Sequence, residues 1–149
     1  MDDRKSNPAK AYLRGYKALI MRRQSLVREI DRLRESITGT TVQLKQDVVS
    51  TSGAGDRLGD TVARIVDAEA ALRPVLDDIT QQIAGIMAAI ESVPDEMQKT
   101  VLTLRYIEGL DWLKISETIS YEISNTYVIH GQALIEVNKY LQRREKNDF

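Results

Sequence analysis

Apolar residues in the first two thirds of the chain recur every three or four positions, which is the spacing of one face of an α-helix. Arg23 interrupts the first of two such stripes, whose apolar members over residues 12–37 are Tyr12, Tyr16, Leu19, Leu26, Ile30, Leu33 and Ile37. Glu69 is the only polar member of the second stripe, which runs over residues 58–91 through Leu58, Val62, Ile65, Leu72, Leu76, Ile79, Ile83, Ile86 and Ile90. Stripes this narrow are typical of coiled-coil seams.

The segment between the stripes is rich in residues that favour loops, including a Ser-Thr-Ser-Gly-Ala-Gly run at 50–55. We therefore predict a flexible loop near 38–57 and an antiparallel, coiled-coil-like helical hairpin over residues 1–92. Pairing Ile37 with Leu58 across the loop places Arg23 close to Glu69, so we expect these two charges to meet. Pro74 predicts a kink in the second helix. The seams fit packing within a helical bundle as well as a dimerising coiled coil. The pattern therefore leaves both alternatives, including a homo-oligomer formed through the hairpin.

Residues 93–149 predict three further helices. Asp95 is a helix N-cap, and the helix it starts should end before Gly109. Asp111 caps a short helix that runs to Ile119. A tight turn at 120–122 separates this helix from a final one that runs to about residue 144. A short helix, a three-residue turn and a longer helix form the plan of a helix-turn-helix module.

Helical spacing divides this module into an inner and an outer face. The positions that should be buried carry apolar or small residues, namely Ile115, Ser116, Ile119, Thr126, Ile129 and Ala133. The positions that should face outward at the start of the final helix are Ser124, Asn125, Tyr127, Val128, Gly131 and Gln132. The predicted fold is therefore all-α, with a helical hairpin followed by a C-terminal helix-turn-helix.

Three short motifs resemble region four of bacterial sigma factors. The run LTLRYIEG at 102–109 is similar to its L-x-x-R-Y-x-x-G opening, LDWLKIS at 110–116 resembles its bracing helix, and IHGQAL at 129–134 resembles the end of its recognition helix. The Trp112 and His130-Gly131 variants resemble more closely the small sigma-like regulators of phages and prophages of the ArpU or RinA kind. Those regulators also carry a leading helical segment and a Gly-rich linker, which SGAGDR at 52–57 resembles.

The resemblance implies a sequence-specific, DNA-binding transcription regulator that is phage or prophage encoded, with double-stranded DNA and RNA polymerase as partners. The residues implied to contact DNA are Ser124, Asn125, Tyr127, Val128, Gln132, Lys114 and Arg105. The chain departs from the sigma pattern at Ser116, Ser120 and Glu122, and it has no basic residue in the first three turns of the recognition helix. Phosphate contacts would then come from Arg105, Lys99, Lys114, Arg143 or Arg144. The alternative is a phage assembly or protein-interaction module that does not read DNA.

Charge is unevenly distributed along the chain. The net charge is -1, but residues 1–37 hold ten Lys or Arg against five Asp or Glu, a net +5. Residues 38–94 have a net charge of -4 and residues 95–149 a net charge of -2. The basic excess lies in the first helix. Its charges form either a solvated face or a contact to nucleic acid or to a membrane, and the sequence does not choose among these interpretations.

The sequence offers no set of residues typical of an enzyme or a metal site. There is no cysteine and only one histidine, His130, which we expect to be a packed structural residue. The glycines at 53–59 lack the Lys-Ser or Lys-Thr pair of a phosphate-binding loop. We therefore expect no catalysis, no cofactor and no bound metal. No stretch is apolar enough to span a membrane, and the lack of cysteine fits a cytoplasmic protein.

Overall fold

The structure, a computed structural model, describes the backbone of residues 7–47 and 54–148 and the side chains of 7–39 and 57–148. All regular secondary structure in these residues is helical, so the all-α prediction is confirmed. The helices are α1 (Pro8–Asp47), α2 (Ala54–Glu91), α3 (Glu96–Leu102), α4 (Trp112–Ile119) and α5 (Ile123–Asn147). A π-helical turn, Thr103–Ile107, follows α3 directly.

Helices α1 and α2 are longer than the sequence predicted. The predicted loop near 38–57 is wrong for residues 38–47 and 54–57, which belong to α1 and α2, and residues 48–53 lie outside the described part of the chain. The hydroxyls of Ser36 and Thr38 donate to the carbonyls of Arg32 and Arg34, one turn earlier, and so are satisfied within the helix. A glycine costs a helix only about 1 kcal/mol relative to alanine, which a long helix can absorb.

Pro74 lies inside α2, where a proline removes one backbone hydrogen bond and costs about 3 kcal/mol or more. The helix continues from Ala54 to Glu91 through this position and does not restart there.

The chain divides into two compact units, one made of residues 1–20 and 82–149 and the other of residues 21–81. In the unit of residues 21–81, Glu69 of α2 accepts hydrogen bonds from Arg34 of α1, at 3.1 Å from Nε and 2.8 Å from Nη2. It also accepts one of 2.9 Å from Arg73 on its own helix.

The predicted pair of Arg23 with Glu69 is wrong, since Arg23 is exposed and Arg34 takes its place. The pairing is displaced because α1 continues to Asp47, whereas the prediction ended it near Ile37.

The unit of residues 1–20 and 82–149 has its main core where the first turns of α1, the end of α2, the π turn and α5 meet. Ala9 and Leu13 are fully buried in this core. Its other buried members are Ile86, Ala89, Ile90, Val93, Leu102, Tyr106, Ala133, Leu134 and Val137. Burying this much aliphatic surface is the main favourable term in folding the unit.

Asn7 and Asn138 fasten the start of α1 to α5. The N–H of Ala9 donates to Oδ1 of Asn7 at 3.1 Å and to Oδ1 of Asn138 at 2.9 Å, and Nδ2 of Asn138 donates to Asn7 at 3.0 Å. Asn7 thus caps α1, Pro8 occupies the position where a missing N–H costs nothing, and α5 contributes a second cap. Residues 131 positions apart are joined in one network.

A second, smaller core lies between the π turn, α4 and α5. Its buried members are Val101, Leu104 and Ile115. In the π turn the N–H of Glu108 donates to the carbonyl of Thr103, five residues earlier, at 3.0 Å. Leu104 is buried in the small core and Tyr106 in the main core. The π turn therefore contributes one buried side chain to each of the two cores.

Candidate nucleic-acid interface

Helix α4 begins and ends as its sequence predicts. The carboxylate of Asp111 accepts the backbone N–H of Lys114 at 2.8 Å, which caps the first turn. Ser120 ends the helix in the left-handed conformation, at φ 60°, a position where a side chain is strained and glycine is usual. The N–H of Tyr121 then donates to the carbonyl of Ser116 at 3.1 Å, which closes the turn. Three residues are thus enough to redirect the chain into α5.

The inner face of α4 and α5 is apolar or small throughout, as predicted. Ile115, Thr126 and Ala133 have no exposed surface, Ser116 is buried, and Ile119 and Ile129 are half-buried. The Thr126 hydroxyl donates to the carbonyl of Glu122 at 3.1 Å and so is satisfied inside the helix. The helices therefore pack through the residues that the spacing assigned to the interior.

The outer face of α5 is exposed over its first three turns. Its exposed residues are those predicted to contact DNA, namely Ser124, Asn125, Tyr127, Val128 and Gln132, together with Gly131. No lysine, arginine, aspartate or glutamate occurs from residue 123 to residue 135, so this face is uncharged. Two of its apolar side chains are prominent, with Val128 exposed to 58% and Ile135 to 56%.

Trp112, at the first position of α4, is the centre of an aromatic cluster that sequence reasoning missed. Its ring lies 5.1 Å from that of Tyr127 and 4.5 Å, edge to face, from that of His130, measured between ring centroids. The guanidinium of Arg105 lies 4.7 Å from the same ring, and its Nη1 donates to the carbonyl of Leu110 at 3.0 Å. The spacing of Tyr127 and His130 was the available signal, because residues three apart share a side of a helix.

This cluster changes the roles of two predicted DNA-contacting residues. Arg105 is half-buried, and its charge is engaged by the Trp112 ring and by a carbonyl, which is a structural role. Tyr127 keeps an exposed edge while its ring packs on Trp112. Lys114 is exposed on α4, with Nζ 4.0 Å from a carboxylate oxygen of Glu117. Of Arg105 and Lys114, the two cations in the predicted DNA-contacting set, only Lys114 projects into solvent.

His130 is buried and shares a hydrogen bond of 2.8 Å between its Nε2 and the hydroxyl of Tyr106. Burial lowers the pKa of His130 to about 4, and the positive charges of Lys10, Arg105 and Arg14 act in the same direction. Burial raises the pKa of Tyr106, against the opposing effect of Arg14 and Arg105. The histidine is therefore neutral at physiological pH, and it is a packed residue as the sequence indicated.

The described residues contain neither a cluster of three or more His, Asp or Glu side chains able to hold a metal ion nor a helix long and apolar enough to cross a membrane. What the exposed start of α5 offers is hydrogen-bonding amides and hydroxyls beside apolar surface. Asn and Gln amides can bond adenine edges in two places, and an apolar side chain can contact a thymine methyl.

Comparison with family models, with curated proteins and with solved structures found no match to this chain.

Proposed function

We propose that the protein is a sequence-specific DNA-binding transcription regulator built on a sigma-region-four-like helix-turn-helix. The observation that carries this proposal is the exposed outer face of the first half of α5, which α4 braces from behind through an inner face of buried and half-buried residues. A helix presented in this way fits the major groove with its N-terminal turns toward the base edges. The proposed target is promoter-region DNA, with RNA polymerase as a second partner and a phage or prophage as the source, as the resemblance of residues 102–134 implies.

Asn125 is the residue proposed to read sequence. It is exposed in the first turn of α5, and its side chain makes no hydrogen bond to the described residues, so its amide is available. Ser124, Gln132 and Val128 stand on the same exposed surface and complete the reading face. A bidentate amide contact to adenine contributes about 1–3 kcal/mol of discrimination against the wrong base.

The test is selection from a randomised duplex pool at low and moderate salt, followed by affinity measurements on the selected and scrambled duplexes. Asn125→Ala should bring the two affinities together while leaving the melting temperature unchanged. Asn147→Ala, at the exposed far end of the same helix, is the matched control and should preserve the preference. Failure of the unaltered protein to enrich any sequence would remove the DNA-reading function.

A second candidate function is protein assembly, in which the same face binds another protein. The observation that favours it is the apolar character of this surface, where Val128 and Ile135 are exposed without a charged neighbour on residues 123–135. Under this function Val128→Ser and Ile135→Ser abolish assembly, and Asn125→Ala has no effect on any duplex. The duplex selection therefore separates the two candidates.

We further propose that α1 and α2 form an antiparallel, coiled-coil-like hairpin through which copies of the chain associate. The Arg34–Glu69 ion pair and the buried Leu26, Ile30 and Ile79 in the unit of residues 21–81 support the pairing of α1 with α2 within one chain. Sedimentation equilibrium tests it, since a monomer at all concentrations would exclude association.

A further inference from the structure

The first turns of α1 carry a one-sided basic stripe. Lys10, Arg14 and Lys17 are spaced four and three residues apart, so they share one side of the helix. No aspartate or glutamate occurs between residues 7 and 28, and the first turn of α1 has no acidic residue. Arg14 and Lys17 are exposed and Lys10 is half-buried.

These three cations have no carboxylate partner among the described residues. The ion pairs of the structure involve other residues, and Lys10, Arg14 and Lys17 contribute to none of them. Three positive charges without a carboxylate partner on the described surface raise the local concentration of anions.

The stripe belongs to the same compact unit as α5. Ala9 and Leu13, which alternate with the cations along α1, are fully buried in the core with Ala133, Leu134 and Val137 of α5. The hydrogen bond from the N–H of Ala9 to Asn138, at 2.9 Å, fixes the start of α1 on α5. The charges of Lys10 and Arg14 lie near enough to His130, on the buried side of α5, to disfavour its protonated form.

The stripe supplies positive charge, which the exposed face at the start of α5 lacks. Reading bases requires side chains such as Asn125, but affinity for DNA comes largely from phosphate neutralisation by lysine and arginine. We propose that Lys10, Arg14 and Lys17 are the phosphate-contacting residues of a double-stranded DNA site whose base-reading face is the start of α5. This inference rests on the proposed function, because it assigns to α1 the phosphate contacts that the first three turns of α5 lack.

The test compares two triple variants that remove the same charge from the same helix. Lys10→Gln/Arg14→Gln/Lys17→Gln removes the stripe, and Arg22→Gln/Arg28→Gln/Arg32→Gln removes three exposed cations farther along α1. Because each neutralised phosphate contributes about 0.9 to the slope of log affinity against log salt, the stripe variant should lower that slope by about 2–3 and weaken binding roughly 10–100-fold. The control variant should change affinity less than about threefold. A charge-conserving variant, Lys10→Arg/Arg14→Lys/Lys17→Arg, should keep the slope of the unaltered protein, and an unchanged melting temperature of the stripe variant excludes a folding defect.

The outcomes distinguish the two proposals. If the unaltered protein binds a selected duplex and the stripe variant keeps its salt slope, this inference is wrong while the proposed function stands. If the unaltered protein binds no duplex, both are wrong. Co-sedimentation with vesicles of equal parts phosphatidylserine and phosphatidylcholine provides a further arm. Vesicle binding that the stripe variant loses, with duplex affinity unchanged, would assign the stripe to a membrane surface and overturn the inference.

Discussion

The phenol hydroxyl of Tyr106 and Nε2 of His130 lie 2.8 Å apart, and their rings stack with centroids 5.8 Å apart. The pair joins the π turn to the middle of α5, beneath the exposed face proposed to read DNA. Because the imidazole is buried and Lys10, Arg14 and Arg105 lie near it, its protonated form is disfavoured in the folded state. The stability of this region therefore depends on pH.

We predict that the free energy of unfolding decreases as pH falls from about 6.5 to about 4. The folded-state pKa of His130 is about 4, below its ordinary value of 6.5, so between these values the unfolded chain binds a proton that the folded chain does not. The loss attributable to His130 is at most about 3 kcal/mol. Urea unfolding at a series of pH values measures it. His130→Gln is the control, since carboxylates titrate in both proteins and only the difference belongs to the histidine. Parallel stability curves for the two proteins would show that His130 is not the cause.

The pKa of the Glu69 carboxyl should lie below its ordinary value because Arg34 and Arg73 donate hydrogen bonds to it. Arg34→Ala should raise that pKa toward the ordinary value, and Arg23→Ala should leave it unchanged. Carboxyl-carbon chemical shifts followed through an acid titration provide the measurement. Since the folded-state pKa is lowered, the contribution of this carboxylate to stability is present above the unfolded pKa and is lost as pH falls. An effect of Arg23→Ala equal to that of Arg34→Ala would contradict the observed register.

Glu122 is the N-cap of α5 but its side chain makes no capping hydrogen bond, which predicts a stabilising substitution. Glu122→Asp keeps the charge and supplies a shorter carboxylate that reaches the free N–H groups of the first turn. The expected gain in unfolding free energy is about 0.5–1 kcal/mol. Asp111→Ala is the opposite case, because Asp111 does cap α4, and it should cost about 1 kcal/mol. Thermal or urea unfolding measures both, and equal stability of Glu122→Asp and the unaltered protein would argue against the predicted cap.

We predict that the main effect of Arg105→Ala is a lower free energy of unfolding and not a lower affinity for DNA. The guanidinium packs on Trp112 and donates to the carbonyl of Leu110, so its removal loses a cation–π contact and a hydrogen bond, together about 1–2 kcal/mol. Trp112 is the only tryptophan, and its emission reports this environment directly. Arg105→Lys should not restore the emission, because an ammonium lacks the planar surface of the guanidinium. Lys114→Ala is the matched surface control and should leave melting unchanged. A loss of duplex affinity in Arg105→Ala at unchanged stability would instead support a phosphate contact.

Local sequence patterns were sufficient for the helix termini around the candidate site. Asp111 caps α4 because a carboxylate two or three residues before free N–H groups is a local geometry, independent of the rest of the fold. The buried inner positions at Ile115, Thr126 and Ala133 followed from a period of 3.6 residues, and so did the exposure of Asn125. The resemblance of residues 102–134 to region four of sigma factors led to the hypothesis that the protein reads DNA, and the duplex selection tests it.

Contacts between distant segments needed the tertiary structure. The length of α1 could not be predicted from Gly39 and Thr38, because loop-favouring residues lower helix stability only slightly and the rest of a long helix compensates. The partner of Glu69 depended on the length of α1, and the observed partner is therefore Arg34 and not the predicted Arg23. The sequence alone determined that the positive charge is concentrated near the N-terminus and that the start of α5 has none. Only tertiary packing, through Ala9, Leu13 and the Asn138 cap, decided that these two segments lie in one compact unit, because burial of side chains far apart in sequence has no local periodic signature.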